Sequence, residues 1–166
     1  MFTRILVPTD FSLTADAALD YARALAAKFG ASLHLLHVLE DPVTSGPLTP
    51  TSSLEASTFQ STLLDDARLR LAHRALPGPL AQMRATTDAI AGTATRAIVE
   101  YAATHGIDLI VMGTHGRTGV AHLLIGSVAE RVVRTAPCPV LTVRLAAAPV
   151  AEPAGIRFDL AVTPPV

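Results

Sequence analysis

The sequence predicts a single-domain α/β fold: an open parallel five-stranded sheet with helices on both faces. Three observations carry that prediction. Short β-branched or leucine-rich runs recur along the chain, segments with apolar residues at helical spacing alternate with them, and Gly or Pro marks most of the boundaries. At 166 residues the chain has the size of one compact domain, and 50% hydrophobic against 16% charged residues is far too apolar for a disordered segment.

Ile5-Leu6-Val7, stopped by Pro8-Thr9-Asp10, reads as a buried first strand running into a turn. Ser12 is placed to cap the helix that follows, in which Ala18, Ala22, Leu25 and Phe29 fall at helical spacing and Gly30 supplies a left-handed stop. The second strand is Ser32-Leu33-His34-Leu35-Leu36-His37-Val38-Leu39. Pro, Thr and Ser without periodicity make residues 41 to about 57 a loop or lid. Leu63, Ala67, Leu71 and Ala75 mark a second helix, broken at Pro77-Gly78-Pro79, and a weak third strand is expected around residues 81–87. Ile90, Ala94, Ala97, Ile98 and Tyr101 trace a third helical face that closes at Gly106. Ile107-Asp108-Leu109-Ile110-Val111-Met112 is a fully buried fourth strand, a glycine-rich turn follows, and a helix over 127–134 leads to a last strand, Val140-Leu141-Thr142-Val143. The domain is expected to span residues 1–145, with an Ala- and Pro-rich tail over 146–166.

Composition and motifs exclude several kinds of chemistry. Thirteen Lys plus Arg against 14 Asp plus Glu leave a formal charge of −1, so no basic field draws nucleic acid or acidic lipid. Cys138 is the only cysteine, and no Cys/His cluster shows zinc spacing, so the simplest setting is a reducing cytoplasm. The apolar runs are far shorter than the ~18 residues a bilayer span needs, and Pro8 interrupts the start before a signal-peptide core could form. A P-loop needs a Lys beside its glycines, yet Lys28, the only lysine, lies far from any glycine-rich turn. A dinucleotide fold needs glycines after the first strand, where Thr9-Asp10-Phe11-Ser12-Leu13-Thr14 has none. His34 and His37, three apart on a strand, face opposite sides and are not expected to share a metal, and Cys138 between two prolines reads as packing.

Gly113-Thr114-His115-Gly116-Arg117-Thr118-Gly119 follows the fourth strand directly, where glycines let a ligand approach the backbone. Gly126-Ser127 then opens the last helix, and Ser127-Val128-Ala129-Glu130 has the form of a capping box. Exposed N–H groups and the positive end of the helix dipole make that terminus an anion site. In open parallel sheets ligands bind beyond the carboxyl ends of the strands, where strand order reverses. If strands one and four are neighbours there, their two turns line one crevice.

Gly113, Gly116 and Gly126-Ser127 give the spacing Gly-x2-Gly-x9-Gly-Ser, which resembles the nucleotide-binding signature of the universal stress protein family, ATP-binding subgroup. The resemblance runs from Ile5-Leu6-Val7-Pro8-Thr9-Asp10-Phe11-Ser12 to Pro137-Cys138-Pro139-Val140-Leu141-Thr142-Val143. It implies strand order 3-2-1-4-5, the Rossmann-like arrangement of the adenine nucleotide alpha hydrolases, a homodimer formed through the last strand, and ATP between strands one and four, with AMP or ADP as other possible occupants. By the same resemblance Pro8, Thr9 and Asp10 border adenosine, Asp10 near the ribose or a Mg²⁺ ion, and the backbone of Val38 reads the adenine edge. Met112 and Gly113 line the ribose side, while Gly116, Gly126, Ser127 and Val128 surround the phosphates. The family often has a second hydroxyl residue where Val128 stands, so a backbone amide replaces one side-chain contact here. His115 and Arg117 lie in the same turn, where they could offset phosphate charge. The expected function is a cytoplasmic, nucleotide-dependent stress-response binding module. Slow ATP hydrolysis or autophosphorylation at the same site is the alternative.

Overall fold

A computed structural model describes residues 2–40, 53–75, 84–114 and 127–144. The expected tail, the loop over 41–52, the Pro77-Gly78-Pro79 break and the turn over 115–126 lie outside the described residues. In chain order the elements are β1 (Arg4–Pro8), α1 (Leu13–Phe29), β2 (Ser32–Leu39), α2 (Ser53–Ala75), β3 (Ala85–Ala91), α3 (Ala94–Thr104), β4 (Leu109–Gly113), α4 (Ser127–Thr135) and β5 (Val140–Val143). The strands form one parallel sheet in the order β3-β2-β1-β4-β5, as the resemblance implied.

The alternation of side chains along each strand divides the core in two. Ile5, Val7, Leu33, Leu35 and Val111 pack under α1 and α2, together with Ala18, Ala22 and Leu71. Leu6, Leu36, Ile110 and Met112 pack on the other face against Ile98 and Tyr101 of α3 and Val132 of α4. Local chemistry sets the ends of α1: Ser12 Oγ accepts from the Ala15 amide at 3.2 Å, and Gly30 closes the helix at φ 68° with its N–H on the Ala26 carbonyl. At the start of the sheet, Asp108 joins β1 to β4 by accepting from the Thr3 amide and hydroxyl, both at 2.7 Å. Cys138 is half-buried against the α3–α4 side of the core, as its packing role requires.

Three expected boundaries are corrected. Helix α2 starts at Ser53, inside the stretch expected to stay a loop to about residue 57. That helix is largely exposed and polar, so the apolar stripe that would reveal it begins only near Leu63; pairs such as Arg68–Asp65 and Arg70–Asp66 line its surface. The third strand occupies Ala85–Ala91 rather than residues 81–87, and of the earlier positions 81–83 lie outside the described residues. Parallel pairing with β2, from Leu33↔Ala85 to Leu39↔Ala91, sets its register and carries it past Ile90. Ile90 therefore belongs to β3, and α3 begins at Ala94 after the Gly92-Thr93 turn.

His34 and His37 face opposite sides of the sheet, as expected. His34 Nδ1 lies 3.2 Å from the Tyr101 hydroxyl, and the Tyr101 ring stacks on His105 at 3.7 Å between centroids. Burial, then the nearby His105 and the Arg4 guanidinium, holds the His34 imidazole below its ordinary pKa. The unfolded chain therefore takes up a proton at His34 first, and the fold loses stability as pH falls below about 6.5 toward the lowered native value. Urea titrations between pH 8 and pH 5 should show this decline, and His34→Gln should make the curve measurably flatter.

Candidate functional site

The strand order reverses between β1 and β4, and a crevice of about 440 Å³ opens at the carboxyl ends of the strands at that point. Pro8, Thr9 and Asp10 at the end of β1 and Met112, Gly113 and Thr114 at the end of β4 line it together. Val38, Leu39 and Glu40 close the β2 end, with Ala94 and Ile98 of α3 beside them. Ser127, Val128 and Ala129 bring the first turn of α4 to the opposite end. The volume suits a small organic ligand, for which ~300–1,000 Å³ is usual.

Side-chain and backbone hydrogen bonds fix the turn after β1. The Thr9 amide donates to the Leu36 carbonyl at 2.8 Å, and Thr9 Oγ1 accepts from the Phe11 amide at 3.0 Å. Asp10 Oδ1 accepts from the Ser12 amide at 3.1 Å, an Asx turn that carries the chain into the capped start of α1. His37 Nδ1 lies 2.8 Å from the Thr9 carbonyl, which only accepts, so Nδ1 carries the hydrogen. Between these bonds Phe11 adopts φ 64°, rare for a side chain of its size, and stacks on His37 at 4.5 Å with the Arg70 guanidinium 3.9 Å from its ring centroid. The turn is thus held from both sides, by β2 and by α2.

On the β4 side the Thr114 amide donates to the Val143 carbonyl at 2.8 Å, so β5 holds the exit of β4 in place. Gly113 has a packing reason to be glycine beside the one its spacing suggested. A Cβ there would meet Thr14 at 2.9 Å from Cγ2 and 3.1 Å from the backbone carbonyl carbon, so the absent side chain makes room for the first turn of α1. Helix α4 covers Ser127–Thr135, the segment that carries the anticipated Ser-x-x-Glu, and the Glu130 carboxylate lies 3.1 Å from the Arg134 guanidinium.

Of the residues singled out from sequence, Pro8, Thr9, Asp10, Val38, Met112, Gly113, Ser127 and Val128 converge on the crevice. His115, Gly116, Arg117 and Gly126 lie outside the described residues. Sequence reasoning missed Glu40, Ala94 and Ile98. Thr93, a good cap residue just before Ala94, was the available signal that a helix start faces this end of the sheet.

The family model of the universal stress proteins matches residues 1–144. The chain belongs to the universal stress protein family. Universal stress protein MJ0531 of Methanocaldococcus jannaschii is 32% identical to it over 145 residues, covering 87% of this chain and 83% of that protein. Among solved structures, protein MJ0577 of the same organism superposes with a TM-score of 0.78 at 29% identity, covering 89% of this chain and 99% of the other. A universal stress protein in complex with cAMP shares the fold at a TM-score of 0.56 and 24% identity, over 86% of this chain and 97% of that one. This universal stress protein thus has the family's five-stranded parallel architecture over nearly all of its described length.

Proposed function

We propose that this universal stress protein binds an adenine nucleotide, ATP in the first instance, and acts as a nucleotide-dependent regulatory module. One observation carries the reading: the turn after β1, the end of β4 and the first turn of α4 converge on a single crevice at the point of strand reversal. Phosphates would lie toward the N-terminus of α4, where Ser127 and the backbone N–H groups offer donors and the helix dipole favours negative charge. Adenosine would extend past Pro8, Thr9 and Asp10 toward Val38. A magnesium ion carried with ATP rests mainly on phosphate oxygens and water, with one or two carboxylates; Asp10 is the carboxylate at that place in the crevice. The complex with cAMP shows that a protein of this fold holds an adenine nucleotide.

Binding is preferred to turnover because the sequence lacks the lysine-bearing P-loop that fast phosphoryl transfer uses. A cytoplasmic setting is part of the proposal, and no described helix is long and apolar enough to cross a membrane. So is a homodimer through β5, which among the described residues pairs only with β4 and leaves Leu141 39% exposed.

Thermal unfolding with added nucleotide tests the reading. ATP at about one hundred times its Kd stabilises a folded protein by about 2.7 kcal/mol, enough to raise Tm by several degrees. No rise in Tm at millimolar ATP would contradict the proposal.

A further inference from the structure

Resting on the nucleotide reading above, we propose that Arg70 of α2 is a positioning residue for nucleotide binding. Through the ring of Phe11 it holds the turn after β1 in the shape that lines the crevice. Among the described residues none of α2 lines that crevice, yet α2 grips the turn whose Pro8, Thr9 and Asp10 do.

Glycines aside, Phe11 alone among the described residues has a positive φ, at 64°. A bulky side chain avoids that region, and a residue stays there only where its surroundings over-determine it. Here they act on both the backbone and the ring. The Phe11 amide donates to Thr9 Oγ1 at 3.0 Å, which ties the residue back to the end of β1. The ring stacks on His37 at 4.5 Å, and His37 Nδ1 in turn donates to the Thr9 carbonyl at 2.8 Å. Arg70 Cζ lies 3.9 Å from the ring centroid, well within the ~6 Å over which an aromatic face draws a cation.

The neighbouring Arg74 is committed elsewhere. Its guanidinium is 4.9 Å from the ring and donates twice to the Asp16 carboxylate of α1, at 2.7 and 3.1 Å. Arg70 lies 3.9 Å from the Asp66 carboxylate on its own helix, a loose pairing that leaves Phe11 as its contact across to β1.

Thr9 is where this chain of contacts reaches the ligand. It is 7% exposed and lines the crevice, with its amide on Leu36, its carbonyl on His37 and its hydroxyl on Phe11. Without Arg70 the Phe11 backbone is freer to return to the common negative φ. That rotation swings the Thr9-Asp10 segment relative to the start of α1, which the Ser12 cap fixes. Apparent affinity then falls with the fraction of molecules that keep the competent turn.

Calorimetric titration of the full chain with ATP reads this effect. Arg70→Ala should raise Kd about threefold or more, the scale of a cation over an aromatic ring at a partly exposed position. Arg68→Ala removes the same charge from the same helix, where Arg68 pairs with Asp65, and should leave Kd unchanged. Asparagine tolerates the left-handed region but has no ring, so in a Phe11→Asn protein Arg70→Ala should cost no further affinity. A merely structural Arg70 would lower the urea midpoint and leave Kd untouched. That outcome, an equal loss from Arg68→Ala, or an equal loss with and without the Phe11 ring would each overturn the proposal. Wild type that binds no ATP would instead refute the nucleotide reading, and the positioning role with it.

Discussion

Gly113→Ala should destabilise the protein by about 1–3 kcal/mol, the usual cost of forcing an extra methyl group into a packed contact. Gly113 has no positive φ, so the backbone would accept alanine; space alone forbids it. The new Cβ would sit 2.9 Å from Thr14 Cγ2 and 3.1 Å from both Thr14 Cβ and its carbonyl carbon, and the latter belongs to the main chain of α1's first turn. That turn is tied down by the Ser12 cap and by the Asx turn of Asp10, so it gives way only by loosening α1 from the sheet. Urea unfolding should show a lower midpoint at unchanged slope. Adding Thr14→Ala should recover only part of the loss, because the main-chain contact remains. A Gly113→Ala protein as stable as wild type would mean that α1 packs less closely on β4 than described.

Gly116→Val should do the reverse: it should leave Tm near the wild-type value and abolish ATP binding. The prediction comes from the family spacing, in which Gly116 belongs to the phosphate-binding turn, and a branched side chain there would occupy the space of the phosphates. Calorimetry should show affinity falling at least about a hundredfold, the loss expected when several charge-assisted hydrogen bonds are blocked together. Unchanged affinity in a folded Gly116→Val protein would place the phosphates elsewhere. With both outcomes as predicted, two glycines three positions apart in one motif are separated by their effects, one on stability and the other on ligand.

Much of this architecture was legible in the sequence because local and tertiary signals agreed. Ser12 and Gly30 bracket α1 as their chemistry requires, β2 and β5 lie where their apolar runs place them, and parallel alternation led to the sheet. The misreadings occurred where tertiary contact overrides local pattern. Ile90 has helical spacing to Ala94, yet the β2 ladder claims it for β3. The first turns of α2 carry little apolar periodicity, so composition alone reads them as loop. At the site, the turn after β1 and the end of β4 were found because Pro, Asp and Gly are conspicuous residues in such places. Glu40 and Ile98 were not found, because their role depends on β2 ending opposite the start of α3, a juxtaposition that only the folded chain creates. Gly113 was recognised from the spacing of the motif, whereas its packing role was not, since the atoms it spares belong to Thr14 of a helix distant in sequence.

The structure of crystals grown with ATP is the most direct test of where the nucleotide lies. The account predicts the base against Val38 and Ile98, and the phosphates at the amides of Ser127 and Val128. An empty crevice at saturating ATP, or a nucleotide bound on another face of the sheet, would contradict it.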